Sequence, residues 1–477
     1  MKKIAIIGGG AAGLAAAIAA GNELARLGAA DECEIVLFEA DPERVGRSIL
    51  ATGNGRCNFS NAHIDPACYR NADFVEAALR SLARLSEVSE WGSVQPVGAY
   101  GASAQGSAQP AGTPEVPGRE SSQSASAFEA PGRESTQSAS AFEAPVQRFF
   151  SDLGLMWREE GEGRMYPAAN KASSVLDVLR AALNVSGARV EFGKALSAIE
   201  APAKGKTHFH LRFSDGSIAH AEKVVLAVGG RGMSAVEVPS AIPCEPMRPV
   251  LGPLATDSRI TRQLNNIRVK CAVSLERSGS LVAREEGELL FRDYGVSGVC
   301  VFNLSRFACE GDVLSIDFLP HMPAADRDAW LFARRKHLSA RLGENGQIAA
   351  EDVLRGAMLP QVAQVLCKCA GIDPARPLSK KDVLALSRVI GGLRLTVRGI
   401  GDAKQCQVSR GGLSIAAFDP QTMEAVRASG LFTAGEALDV DAPCGGYNLH
   451  WAWSSGLLAG VSAARSAVSA DGEGEGE

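Results

Sequence analysis

The amino-acid sequence predicts an α/β protein in which a parallel sheet is interrupted by an inserted domain of mixed strands and helices. Three observations predict it. Residues 3–7 (KIAII) run into the glycine turn Gly8-Gly9-Gly10-Ala11-Ala12-Gly13 and then an alanine-rich helical pattern over 14–27. Residues 34–38 (EIVLF) form a second apolar run that ends at Glu39. Near the other end, residues 430–434 (GLFTA) lead through an acidic loop and a Gly-Gly pair into a helical run. Short apolar runs alternating with helical periodicity are the pattern of parallel strands joined by crossover helices.

The first unit has the form strand, G-x-G-x-x-G, helix, strand, acid. Gly8 permits the tight turn, Gly10 lets backbone approach a pyrophosphate, and Gly13 allows helix to pack closely on strand. Phosphates would sit on the helix start at Ala11 and Ala12, where unpaired N–H groups and the dipole both favour negative charge. Glu39 is placed to accept hydrogen bonds from a ribose diol. It lies further from Gly13 than the usual interval of about 20 residues, a difference the loop 28–33 absorbs. A βαβ unit that binds no nucleotide is the competing reading. The lysines and apolar run at the N-terminus also resemble a secretory signal, but three consecutive glycines would break its apolar helix and no polar mature segment follows, so the segment is read as retained.

The chain's 477 residues allow two or three domains. A net charge of -5 from nearly balanced acids and bases implies no basic face for nucleic acid. No run of 18 or more strongly apolar residues appears, so no membrane span is expected. The 11 cysteines follow no repeating framework and read as reduced cytoplasmic thiols. Cys367-Lys368-Cys369 has C-x-C spacing without a second pair nearby, so no metal site is expected.

In chain order, Gly46-Arg47-Ser48 is followed by residues 52–61 (TGNGRCNFSN), a loop dense in glycine and hydrogen-bonding side chains directly after the second strand. In glutathione-reductase-like flavoproteins the corresponding region passes beside the flavin. That makes Gly53, Gly55, Arg56 and Asn58 candidate cofactor contacts and Arg56 and Cys57 candidate catalytic groups; a solvent loop shaped by its glycines is the alternative. The next cysteine, Cys68, is too distant in sequence for a local redox disulfide of the disulfide-reductase kind. Residues 97–146 are rich in Ala, Ser, Gly, Pro and Gln. Within them 117–130 (PGRESSQSASAFEA) recurs as 131–144 with one change, Ser122 to Thr136, a tandem 14-residue repeat. Such a composition cannot bury enough apolar area to offset chain entropy, and a disordered insertion is expected.

Order is expected to resume at 148–157, with a polar cluster of Arg164, Tyr166, Pro167 and Lys171, a helix over 175–183 and a strand at 189–192. Strands are expected at 209–213 and 223–228 about the turn Asp215-Gly216. The second ends in Gly229-Gly230, where flavoproteins of this architecture leave the sheet near the adenine, which makes Gly229 a candidate contact. Residues 248–399 read as the inserted substrate or cap domain. Strand candidates there are 269–275, 287–291 and 295–305, and charged helices are expected around 327–342 and 351–370. Residues 1–247 and 400–470 then form the two parts of the first domain, and 471–477 (DGEGEGE) is a flexible acidic tail.

The closing stretch, Gly435-Glu436-Ala437-Leu438-Asp439 and then Gly445-Gly446-Tyr447-Asn448-Leu449-His450, has the form of the last element of an FAD domain. Its acidic turn (Gly435, Glu436, Asp439) would face ribityl and pyrophosphate. The helix start (Gly445, Gly446, Tyr447, Asn448) would point its positive end at the flavin pyrimidine and stabilise charge there on reduction. Tyr447 and His450 are the candidate acid/base groups beside it; helix packing is the equal alternative for His450.

These blocks resemble one family, the bacterial FAD-binding oxidoreductases called aminoacetone-oxidase-like or BaiN-like and described as NAD(P)/FAD-dependent oxidoreductases. The match rests on IAIIGGGAAGLAAA, TGNGRCNFSN, GRMYPAANKASSV, GELLFRDYGVSG and GLFTAGEALDVDAPCGGYNLHWAWSSGLLAG. It covers most of the chain outside 97–146. Ser48 stands where the family usually carries lysine, and 232–249 is shorter and richer in proline than the family's glycine-rich segment. The resemblance implies a Rossmann-like, glutathione-reductase-like FAD domain with an inserted β-barrel-like domain bearing helices, and FAD in an extended form.

The function expected is therefore hydride transfer between flavin N5 and a small organic substrate. No second G-x-G-x-x-G occurs in mid-chain, so NAD(P)H would act as a transient co-substrate entering the substrate cavity, or oxygen would serve as the second redox partner. FAD would do the redox chemistry while the protein binds and tunes it. The rival from another class is a binding or regulatory flavoprotein whose FAD is structural. A nucleic-acid-modifying role fits poorly with the acidic balance.

Overall fold

In the computed structural model, which describes residues 1–88, 142–203, 206–342 and 347–469, the chain forms two large hydrophobic cores. The first is built on a five-stranded parallel sheet in the order Leu431–Thr433, Lys223–Leu226, Lys2–Ile7, Cys33–Phe38 and Arg189–Glu191. The N-terminal strand is thus the middle one. Its residues Ile4 to Ile7 are buried on both faces, as parallel strands covered by helices require.

Two helices from opposite ends of the sequence pack together on this sheet, Ala11–Arg26 and Tyr447–Ser469. Small residues bring their backbones into contact. A Cβ on Gly456 would lie 2.3 Å from the Ala12 carbonyl oxygen, and one on Gly460 2.3 Å from that of Ala16. Trp451 and Trp453, on the same C-terminal helix, are fully buried. Their indole N–H groups donate to the carbonyls of Gly435 (3.2 Å) and Phe59 (2.9 Å), which satisfies the one polar atom each brings into the core.

The second core lies in a closed six-stranded antiparallel barrel: Leu254–Thr256, Gly295–Ser297, Ser280–Arg292, Arg268–Arg277, Val313–Asp317 and Leu393–Ile400. Alternate residues such as Val273 and Leu275, Leu314 and Ile316, Leu395 and Val397 point into it. Helices Ala324–Leu342, Pro360–Cys369 and Lys380–Ile390 flank it; the last begins with a capping box formed by Ser379 and Asp382. The antiparallel strands Cys244–Val250 and Val408–Leu413 lead the chain out to the barrel and back. A Rossmann-type FAD-binding fold combined with a closed barrel is the architecture that the sequence predicts.

Several local expectations are corrected. The hairpin partner of Phe209–Phe213 is Ile218–Ala221, across Asp215-Gly216; Lys223–Leu226 instead joins the main sheet, because its continuous apolar run suits a strand covered on both faces. Residues 295–305 are not one strand. Gly298, with φ of 111°, ends the strand at Ser297, and Val299–Ser305 is a helix. The region 351–370 is split by Pro360, which starts a new helix. The end of the supposedly disordered segment 97–146 is ordered: Phe142 and Val146 are buried, and Ala144–Asp152 is a helix. The rest of that segment, with nearly all of its repeat, and the acidic tail lie outside the described residues. Cys367 is buried and Cys369 exposed, and neither forms a disulfide. Among the described residues no helix is long and apolar enough to cross a membrane.

Candidate functional site

The first glycine turn is as tight as its spacing predicts. Gly8 has φ of 103°, and a Cβ there would lie 2.5 Å from the Ala227 carbonyl oxygen; one on Gly13 would fall 1.7 Å from the Gly8 oxygen. Gly10 caps the helix Ala11–Arg26, making no side-chain cap hydrogen bond, and no acidic residue stands in the first turn. The leading N–H groups at Ala11 and Ala12 are thus left for an anion. Glu39, at the end of the neighbouring strand, accepts from the Gly9 amide at 2.6 Å with one oxygen and from the Asp41 amide at 2.7 Å with the other. The acid therefore sits against the glycine turn, where a ribose would meet it.

The second glycine turn is held from several directions. Gly445 and Gly446 have φ of 135° and 101°, and a Cβ on Gly446 would lie 2.2 Å from the Ser60 carbonyl oxygen. Asn61 Nδ2 donates to Gly445 O at 2.9 Å, and the Cys444 amide donates to Asn303 Oδ1 at 2.9 Å. Asn448 grips the loop before it, accepting from the Ala442 amide and donating to the Ala442 carbonyl (2.9 and 2.8 Å), so its side chain caps the turn. No acid stands in the first turn of the helix that follows. Gly435, with φ of 66°, would place a Cβ 3.0 Å from that of Ala12, which brings the acidic loop beside the first helix. The two turns and the Gly435 loop thus share one side of the sheet.

Two acids of the closing loop have roles the sequence did not reveal. Asp439 is buried and receives both Arg70 Nε, at 2.8 Å, and the Gly411 amide, at 2.9 Å. Its carboxylate is therefore held by protein groups, as that of Glu39 is. Asp441 is 1% exposed and receives two guanidinium groups, Arg306 at 2.7 Å and Arg410 at 2.7 and 2.8 Å. Burial alone would raise its pKa, but the two arginines overcome that and hold it below the ordinary value. Arg306 follows the barrel's Val299–Ser305 helix, so this pair pins barrel to sheet. Glu436 is enclosed by the backbone of Ser409 and Gly230, and burial raises its pKa to about 7. Gly229, with φ of 68°, turns the chain out of its strand, and a Cβ there would meet nothing within 4 Å.

The loop 52–61 is folded onto the cluster after the insertion. Arg56 stacks 4.0 Å over the Tyr166 ring, with Glu160 and Asn170 as hydrogen-bond partners. Gly53 and Gly55, both at positive φ, shape the bend, and Asn58 Oδ1 accepts from the Met165 amide at 3.0 Å while lying beside Gly446. Cys57 is fully buried and burial pushes its thiol up to about 11, so it stays protonated near neutral pH; the expected catalytic role is corrected to core packing. His450 is likewise 0% exposed, with Nδ1 2.9 Å from Ser60 Oγ, and burial pushes its pKa down to about 3. A neutral, enclosed imidazole cannot exchange protons with a substrate, and the packing alternative holds. Tyr447 is half-buried. Its hydroxyl donates to His63 O at 3.1 Å, and burial together with Cys68 pushes its pKa up to about 12.

Sequence reasoning did not single out Ser60, Asn61, Asn303, Arg306, Arg410 or Asp441 as site residues. Asp441 lies in the quoted closing stretch, but its partners are far away in sequence, so only the geometry shows its part.

The chain is similar to several known proteins. The chain is 28% identical to a 3-dehydro-bile acid delta(4,6)-reductase of Clostridium scindens, over 97% of this chain and 99% of that protein. It is 25% identical to a ribosomal RNA dihydrouridine synthase of Escherichia coli, over 94% and 95%. A 3-ketosteroid-delta4-(5alpha)-dehydrogenase of Rhodococcus jostii RHA1, solved with 4-androstene-3,17-dione, aligns over 97% of both chains with 13% identity and a TM-score of 0.40. The family model described as HI0933-like protein Rossmann domain matches residues 120–462. The chain belongs to that HI0933-like Rossmann family, the aminoacetone-oxidase-like or BaiN-like group that its motifs resemble.

Proposed function

We propose that the protein is an FAD-dependent oxidoreductase that saturates a carbon–carbon double bond conjugated to a carbonyl in a small organic molecule. One observation carries the reading of the cofactor: two helix starts with no acid in their first turns, from opposite ends of the sequence, meet on one side of a parallel sheet, each behind a glycine turn in which backbone blocks a Cβ at Gly8, Gly13 or Gly446. Residues Gly8 to Gly13 would hold the pyrophosphate, Glu39 the ribose, and Gly445 to Tyr447 the flavin. FAD, when bound there, supplies the hydride chemistry. The chain's own residues fix it in place and stabilise negative charge at the flavin end through the dipole of the helix Tyr447–Ser469.

The relatives support the reaction class. A delta(4,6)-reductase and a dihydrouridine synthase differ in substrate, but both names describe adding hydrogen across a double bond. A small molecule is the better fit here, because the chain has a net charge of -5 and nucleic-acid binding draws mainly on positive charge. NAD(P)H would enter the same cleft as the substrate, since no second glycine-turn unit serves it; oxygen is the other candidate redox partner.

The test is spectroscopic. Purified protein should carry or take up FAD, be bleached anaerobically by NADH or NADPH, and regain its colour on adding a 3-oxo-4,6-diene steroid acid. A flavin that neither nicotinamide nor substrate alters would identify it as structural, and one that a substrate bleaches but neither nicotinamide does would favour an oxidase.

A further inference from the structure

Glu285 lies on the barrel strand Ser280–Arg292, outside both of the turns assigned to the cofactor. Asn303, on the adjacent helix Val299–Ser305, donates from Nδ2 to Glu285 Oε2 at 3.0 Å and accepts at Oδ1 from the Cys444 amide at 2.9 Å. Asn303 is 9% exposed, and with both ends of its amide engaged its orientation is fixed. A single buried side chain thus ties a barrel carboxyl to the residue just before Gly445-Gly446, the turn assigned above to the flavin.

The other groups near Glu285 leave it free to titrate. Arg306 is committed to Asp441, and among the described residues no cation forms an ion pair with Glu285. The thiols of Cys68, Cys300 and Cys444 share its surroundings, and Cys68 is hydrogen-bonded to the Tyr447 hydroxyl. Burial raises the Glu285 pKa, with Asn303 and Arg306 opposing only in part. The carboxyl is half-buried, with Asn303 beside it.

From this juxtaposition, and resting on the function proposed above, we infer that Glu285 is the proton donor of the reaction, held over the flavin turn by Asn303. Its O–H bond breaks as a C–H bond forms at the carbon next to the substrate carbonyl. The hydride forms the second C–H bond at the other carbon. Two electrons and two hydrogens are added across the double bond, and the carboxylate left behind is reprotonated from solvent. Asn303 is the positioning residue: it aims the carboxyl without exchanging protons itself.

The test uses the FAD-loaded full chain with a 3-oxo-4,6-diene steroid acid as probe. Binding to the oxidised protein is read as a perturbation of the flavin spectrum. Turnover is read as reoxidation of flavin reduced beforehand with dithionite, under anaerobic conditions and across pH. Glu285→Gln keeps an acceptor for Asn303. It is expected to load FAD, bind the probe within about twofold of wild type, reoxidise at least about 100-fold more slowly, and lack the fall in rate at high pH that is expected of wild type. Glu285→Asp, which retains an acid, is expected to keep that fall and recover part of the rate; it decides the matter if the Gln variant loses FAD. Wild-type rate and pH profile in Glu285→Gln, or a defect confined to probe binding, overturns the role of Glu285 alone. A wild-type protein that holds FAD but is never reoxidised by the probe contradicts the proposed function, and this role with it.

Discussion

The two glycine turns pose the same problem, bringing backbone against a cofactor, but they are supported in opposite ways. The first is held by its own neighbourhood: Gly13 packs on the Gly8 carbonyl and Glu39 accepts from Gly9, all within one βαβ unit. The second is held from a distance, by Ser60 beneath Gly446, Asn61 on Gly445, Asn303 on Cys444 and the two arginines on Asp441. Local support survives as a motif. Distant support makes the second turn responsive to where the barrel sits.

The largest expected effect is at the second turn's ion cluster. Asp441→Asn leaves Arg306 and Arg410 buried against a neutral amide and should cost about 3–5 kcal/mol in urea unfolding, with the barrel released before the sheet. Because the folded pKa of Asp441 is lowered, its stabilisation is present above about pH 4 and lost as pH falls through the lower folded value. Wild type should therefore lose stability in acid more steeply than Asp441→Asn does.

Next in size is Gly446→Ala. A Cβ at positive φ, 2.2 Å from the Ser60 oxygen, has no room because the obstacle is backbone, and a loss of about 3 kcal/mol is expected in thermal unfolding. Arg70→Ala should cost less, about 1 kcal/mol. It strips Asp439 of its cation, but the Gly411 amide remains and Arg70 is itself 42% exposed.

The smallest effect sharpens the comparison through pH. The folded pKa of Glu436 is about 7, above its ordinary 4.5. Its contribution to stability is thus present below pH 4.5 and lost as pH rises through 7. Glu436→Gln should raise the Tm of the FAD-free protein at pH 8 by an amount equivalent to about 1 kcal/mol, and change it little at pH 4.

What could be read from the sequence follows the same division. The central strand, the first helix, Gly8, Gly10, Gly13 and Glu39 were legible because spacing within one unit carries their geometry. The helix start at Gly445-Gly446 was legible as a pattern, but its supports were not. Ser60, Asn303 and Arg306 meet it only after the barrel closes, and nothing in their local sequence marks them. Cys57 and His450 look reactive by residue type, yet burial makes both inert, and burial of a single side chain cannot be read from its neighbours alone. The hairpin partner of 209–213 is not marked in the sequence, because 218–221 carries little apolar pattern of its own, whereas the continuous apolar run at 223–228 does mark a central parallel strand.

The central claim is that both turns clasp one FAD, and titration of the full chain with FAD, followed by flavin absorbance, tests it most directly. The account predicts one FAD per chain in wild type, and loss of binding in Gly13→Val and in folded Gly446→Ala alike. A wild-type chain that takes up no FAD, or a Gly446→Ala chain that binds it as wild type does, would contradict it.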